Sequence, residues 1–426
     1  MKTNQIGQLS FNLGTFFLAT ALPISGIFFL FSILISFFET RFNLLNDQWN
    51  LILIFIGGFF IFNVIRLNLI NFNSSIFLEK NISSLDLFNW IPLFILFISC
   101  QYYLKNEWQR YLFSKYLISG TIPVLISCIL QNKFKIYGPF KTFYGLIVIF
   151  NKKPLVGEGV SGLFNNQNYA GIWLTLSLPL LFILISKINH FNYKKLFLFL
   201  ILLLSIYLIF LTLSRNAIVG LLSTLFLIFG IKKFFLLIFF IFLIYISIGA
   251  LESLVNLNGL NLIGEIQKQY LIEKLTINNL TNILEIIRVK IWVNTVKLIL
   301  QKPLFGFGAS TFPIVFYSLT NLKFQHSHNM VLQLAYDYGL PLSILLTSFV
   351  TYLFVRGFIN IYQTKDTDGL FFSNKCWLAS CLVAILSHMN DITYYDGKIS
   401  ILIWIFLAGL KCINDGINQK KYIYSK

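Results

Sequence analysis

One feature limits this chain more than any other. Apolar runs of about 15 to 25 residues recur from end to end, the length at which a helix rising 1.5 Å per residue crosses a bilayer core of ~30 Å. Charged residues make up only 12% of the 426. A soluble chain carries about 25%, so there is too little polar surface for two or three water-soluble domains. Strands of a transmembrane barrel would alternate apolar and polar residues, and these runs do not. The expected fold class is all-α: a polytopic integral membrane protein.

The runs lie near 11–38, 51–65, 87–104, 116–130, 168–186, 196–213, 217–230, 234–251, 338–357, 375–388 and 399–413. The first is long enough for one tilted span or for two short ones broken near Pro23, giving eleven or twelve crossings. With the C-terminal tail in the cytoplasm, lysine and arginine are about twofold denser in the cytoplasmic segments than on the opposite side, as the positive-inside rule requires. Lys2 joins the cytoplasmic side only if the first run is a hairpin, which favours twelve. That first run exceeds the apolar core of a cleavable signal peptide, so the first span is expected to be its own targeting signal.

The expected organisation is N-terminal membrane helices over 1–130, an outer loop over 131–167 and central membrane helices over 168–251. A large outer loop over 252–328 and C-terminal helices with a tail over 329–426 follow. A loop as long as 252–328 usually carries function. Within it, 282–301 reads as an amphipathic helix on the outer membrane face, with Asn282 as N-cap and Glu285 at the third helical position. The net charge of +17 is spread through the loops, which points to anionic lipid headgroups or a phosphorylated lipid rather than nucleic acid. Cys100, Cys128, Cys376, Cys381 and Cys412 all fall in or beside apolar runs, so neither disulfides nor a zinc site are expected.

Few residues here can carry chemistry. Arg215, in LTLSRNAIVG, occupies a turn of about three residues between two apolar spans, on the side where arginine is disfavoured. It reads either as a headgroup anchor or as a bidentate ligand for phosphate. Arg288, on the polar stripe of the outer helix, is a second candidate, against a plainer reading as an i,i+3 partner of Glu285 or a headgroup contact. Three of the four histidines, His326, His328 and His388, sit at outer membrane edges. His326 and His328 are two apart and would not face one another on a helix, so a two-histidine metal site fits poorly. Ser327 or His328 should begin the next helix, with Asn329 in its first turn. A helix N-terminus disfavours imidazolium and keeps a histidine competent as a general base.

Weaker signals are the amides of GLFNNQNYAG, including Asn168, which suit either sugar hydroxyls or helix capping, and the loop acids Asp391 and Asp396, ordinarily solvated. Gly306-Phe307-Gly308 lacks a nucleotide-binding context and reads as a turn. Asp366-Thr367-Asp368 resembles a metal motif but falls on the cytoplasmic side, and also reads as a turn.

The stretches GLFNNQNYAG, LTLSRNAIVG, RVKIWVNTVKLILQKPLFGFGASTF, HSHNMVLQLAYDYGLP and SHMNDITYYDGKISILIWIFLAGL cover roughly 160–410. In order and placement they resemble the O-antigen ligase and polymerase superfamily of bacterial inner-membrane glycosyltransferases. The resemblance implies a GT-C-like enzyme of the inner membrane that needs neither metal nor cofactor. Such an enzyme moves a glycan from an undecaprenyl-diphosphate carrier to a lipid or glycan acceptor, with inversion, at the periplasmic face. It maps diphosphate binding onto Arg215 and Arg288, and the general base with its neighbour onto His328 and Asn329, His326 being the alternate base. A late family aspartate falls on Asp391, and Asn168 joins Asn329 and Asp391 as a possible substrate contact. Where the family commonly has glutamate before glycine, this chain has Asp337-Tyr338-Gly339.

Ligation and polymerisation of glycans both fit these residues. A secondary transporter fits less well, because ionisable residues sit at span ends rather than at mid-membrane and no internal repeat is present. A non-catalytic assembly partner of a polysaccharide export system is the remaining reading.

Overall fold

The computed structural model describes residues 3–69, 84–255, 287–364 and 370–424. Fourteen α-helices run through the described residues. Helices α1 (Thr3–Phe17), α2 (Leu22–Thr40), α3 (Gln48–Leu69), α4 (Ile91–Leu104) and α5 (Glu107–Lys133) open the chain. After a small hairpin of β1 (Phe140–Thr142) and β2 (Ile147–Ile149) come α6 (Gln167–Ser186), α7 (Tyr193–Leu211) and α8 (Arg215–Val255). The chain continues through α9 (Ile287–Gln301), α10 (Phe312–Thr320), α11 (Met330–Tyr338) and α12 (Leu340–Gln363). It ends with α13 (Phe371–Asn390) and α14 (Gly397–Tyr424).

Nine of the described helices are long and apolar enough to cross a membrane: α2 to α7, the first part of α8, α12 and α14. The protein is thus an all-α polytopic membrane protein. Helix α1, α13 and the part of α8 beyond Gly230 complete the twelve helical segments that the apolar runs mark out. The run 11–38 is two helices, with Pro23 in the first turn of α2, where its missing N–H costs nothing. The runs 217–230 and 234–251 are not separated by a three-residue segment. They are two helical stretches that adjoin at a kink at Gly230, whose φ of 74° and ψ of 167° leave the helical region. The run 338–357 starts two residues late, because Gly339 takes a φ of 90° and separates α11 from α12. Asn282 and Glu285, the expected start of the outer helix, and Asp366 and Asp368 lie outside the described residues.

Burial sorts the bundle into a centre and a rim. In α14 and α6, 83% and 78% of the apolar stretch is buried, against 22% in α2. Helix α13 packs on α6, α8 and α14. That inner position explains why it tolerates Ser373, Asn374, Ser380, Ser387 and His388, all buried: polar groups in a bilayer are sustained by protein neighbours rather than lipid. Leu30, Phe31, Leu34 and Phe38 of α2 are more than half exposed and form an apolar outer face of the kind lipid covers. The five cysteines are all buried and unpaired.

Near one end of the bundle the core is aromatic. The Trp90 ring stacks on Phe60 at 4.8 Å and on Tyr394 at 4.7 Å between ring centres. Tyr394 accepts a hydrogen bond from Trp404 Nε1 (2.8 Å) and donates one to the Asn89 carbonyl (2.9 Å). Aromatic pairs add ~0.5–1.5 kcal/mol each beyond their burial. This cluster pins the 391–396 turn to α4 and α14.

Candidate active site

The site is built where α6, α8 and α11 begin, beside the turn between α13 and α14. Its first part is the segment 324–329. Helix α11 does not start at Ser327 or His328. Asn329 is its N-cap, with Oδ1 accepting from the Leu332 amide at 3.1 Å, and the first helical residue is Met330. His328 precedes the cap with a left-handed φ of 55°, a region histidine enters more readily than most side chains. Gln333 secures the segment from within the helix by accepting from the Ser327 amide at 2.8 Å. The Ser327 hydroxyl donates to the Asn329 carbonyl at 2.8 Å. Asn329 Nδ2 donates to the Met389 carbonyl at 3.0 Å, tying the cap to the end of α13.

The left-handed residue undoes the helical spacing argument for His326 and His328. Their rings lie 4.4 Å apart in an edge-to-face arrangement, and the His328 amide donates to His326 Nδ1 at 3.2 Å. Both therefore face a common point.

That point is Asp391. Its Oδ1 lies 3.0 Å from His328 Nδ1 and accepts from the Ile392 amide at 2.9 Å. Its Oδ2 accepts from Asn168 Nδ2 at 2.8 Å. Asp391 is buried, not solvated. Burial alone raises its carboxyl pKa, but the His328 hydrogen bond and charge with the Ile392 amide outweigh this and hold it below the ordinary value. A carboxylate accepts only, so Nδ1 of His328 is the donor in this bond. His326 is pushed down to about 4, first by burial and then by His328, with Arg288 in the same direction and Asp391 opposing.

Asn168 is delivered by the start of α6, where the Asn166 side chain caps the helix by accepting from the Asn168 amide at 2.8 Å. The loop leading there is held by Gln131 of α5, whose Oε1 accepts from the Ser161 and Gly162 amides, both at 2.9 Å. Arg215 is the first residue of α8 rather than a member of a free turn, and it is exposed. Its neighbour Asn216 donates to the Ser387 carbonyl at 2.8 Å, so Arg215 sits against the same end of α13 that anchors Asn329. Arg288, in the first turn of α9, is half-buried and close enough to His326 for its charge to act there. Among the described residues neither guanidinium makes a hydrogen bond or ion pair.

The structure thus brings His326, His328, Asn329, Asp391 and Asn168 into one hydrogen-bonded group, with Arg288 beside it and Arg215 across the end of α13. His326, His328 and Asp391 each offer a ligand atom, all within 4.8 Å of one another, a group that could hold a metal ion. Sequence reasoning missed Gln333 and Gln131 and read Ser327 only as a helix start; all three hold the backbone of the two loops. An isolated glutamine in a helix carries no signal of such a role. Asp337, which the sequence singled out without assigning a role, accepts from Gln333 Nε2 at 3.1 Å on both oxygens, its carboxyl pushed up by burial and by Asp86.

Fold and site define a multispanning membrane protein with a histidine–carboxylate pair at one end of its bundle and two arginines that make no hydrogen bond or ion pair among the described residues. Residues 200–347 match the family model described as O-antigen ligase. The match runs from α7 into α12 and contains Arg215, Arg288, His326, His328 and Asn329. Asn168 and Asp391 lie on either side of it. No curated protein matches the chain.

Proposed function

We propose that the protein is a glycosyltransferase of the ligase type. It moves a glycan from an undecaprenyl-diphosphate carrier to an acceptor hydroxyl at the periplasmic face of a bacterial inner membrane. The observation that carries this reading is the His328–Asp391–Asn168 chain within and beside the stretch that matches the O-antigen ligase family model. Asp391 fixes the tautomer and orientation of His328, and Nε2 takes the acceptor proton as the oxygen attacks the anomeric carbon. General-base assistance of this kind contributes ~10²–10⁴-fold.

The carrier diphosphate leaves as an anion. Arg215 and Arg288 offer paired donors to its oxygens, stabilising charge that grows in the transition state. A single displacement inverts the anomeric centre. Two arginines in this role leave no step that requires a metal, and turnover of purified protein with lipid-linked donor is expected to survive EDTA. Activity lost to chelator and restored by magnesium or manganese would overturn the arginine mechanism.

Polymerisation is the alternative reaction at the same site. The glycan profile of a strain lacking the gene separates the two. Lipid A core without long chains, with lipid-linked polymer accumulating, means ligation; single repeat units on the core mean polymerisation. An unchanged profile would remove both.

A further inference from the structure

We propose that His326, His328 and Asp391 form an inhibitory binding site for a transition-metal dication of the zinc type. The binding itself rests on geometry, while its inhibitory effect rests on the reading of His328 as the general base. Zinc takes imidazole nitrogen and carboxylate oxygen at about 2.0–2.2 Å, so adjacent ligand atoms of a tetrahedral site lie about 3.3 Å apart. His328 Nδ1 and Asp391 Oδ1 already stand at 3.0 Å. The whole set falls within 4.8 Å, and His326 lies in a loop, held by one described hydrogen bond from the His328 amide. Closing the remaining gap means that His326 gives up the bond it accepts from the His328 amide, because a metal on Nδ1 takes that lone pair and a metal on Nε2 sends the ring proton to Nδ1. Two imidazoles and one carboxylate leave a fourth position for water and suit zinc. Magnesium prefers six oxygens and retains its own waters. Arg288 opposes a cation here and Asp391 favours it, leaving the two imidazoles to supply the affinity.

Occupation silences His328 through its tautomer. In the free site the single ring proton sits on Nδ1, facing Asp391, and Nε2 holds the lone pair. A metal on Nδ1 requires that lone pair, so the proton moves to Nε2. The atom that faces the acceptor hydroxyl then donates instead of accepting. No proton is gained or lost, and the base is gone.

The test uses the full chain in lipid nanodiscs, stripped by chelator and titrated with zinc chloride against a chromophoric chelator. Wild-type protein is expected to take up zinc with an affinity that falls at least about tenfold in His326→Ala and, separately, in Asp391→Asn. Thermal unfolding of each variant verifies its fold. Transfer by wild-type protein should drop more than about tenfold at saturating zinc, with half the effect at the free zinc that half-fills the site. Magnesium should leave it unchanged. Wild-type affinity in both folded variants, or a zinc-loaded enzyme working at the metal-free rate, overturns the proposal. Protein inactive when stripped and restored by zinc overturns the inhibition and the metal-independent mechanism together. If no transfer is seen under any metal condition, the glycosyltransferase reading fails and the inhibition with it, while the binding arm still decides the site.

Discussion

At the scale of single residues, the proposed chemistry divides between charge and proton transfer. His328→Ala should cut turnover by ~10²–10⁴-fold and leave donor binding nearly unchanged, because the base acts only as the bond forms. Arg215→Lys and Arg288→Lys keep the charge and lose the paired donors. A diphosphate ligand should suffer in binding, turnover or both, whereas a headgroup anchor should tolerate lysine. Separate measurement of donor binding and turnover for each variant distinguishes these roles. His326 adds a pH signature. Its folded value of about 4 lies below the free value of 6.5. Between those limits the unfolded chain binds a proton that the folded chain does not, so stability declines as pH falls from 6.5 and levels off below about 4. Thermal midpoints across that range should show the slope in wild-type protein and a flatter profile in His326→Gln. The depressed Asp391 acts elsewhere: its contribution is present above the ordinary value of 3.8 and is lost only on further acidification. The sequence offered His326, His328 and Asp391 as separate signals. Their meeting depends on a left-handed backbone at His328 and on a pairing across 63 residues, and no local pattern encodes either.

At the scale of elements, the helices were legible because their apolar runs are long, while their ends were less so. The sequence places the start of α11 at Ser327 or His328 with Asn329 inside the first turn, whereas Asn329 is the cap and also reaches the Met389 carbonyl. Asn329→Ala removes the cap at a cost of ~1 kcal/mol together with the Met389 anchor. Asn329→Asp keeps an accepting oxygen for the Leu332 amide but sets a carboxylate oxygen against the Met389 carbonyl in place of the donor. Unfolding midpoints and turnover should therefore fall in both variants. Gly339 is the second element-level test. A side chain there would be strained at a φ of 90° and would strike the Leu304 carbonyl. Gly339→Ala is expected to destabilise by at least about 2 kcal/mol, seen as a lower unfolding midpoint. A neutral result would mean that α11 and α12 are not held apart as described.

At the scale of the whole molecule, loops 131–167 and 252–328 are expected in the periplasm, from the twofold bias in lysine and arginine density. Ser310→Cys should react with an impermeant thiol reagent in cells whose inner membrane is intact. Reaction only after that membrane is opened would reverse the topology and move the site to the cytoplasm. The bundle's centre was not readable from hydropathy: α7 is the most apolar span and lies at the rim, whereas the less apolar α14 is the most buried. Hydropathy reports what lipid accepts, and burial depends on which neighbours a helix finds. The bond from Asn168 to Asp391 has a further consequence for biosynthesis. The two residues stand 223 positions apart, so the ribosome releases Asn168 long before its partner. The carboxylate that orients His328 arrives only with the turn into the last helix, and the aromatic clasp on that turn needs Trp404 within the last helix itself. A nascent chain can therefore insert most of its spans and still have no assembled site. Assembly of the site follows insertion of α14, and chains truncated before it are expected to remain in the membrane without activity.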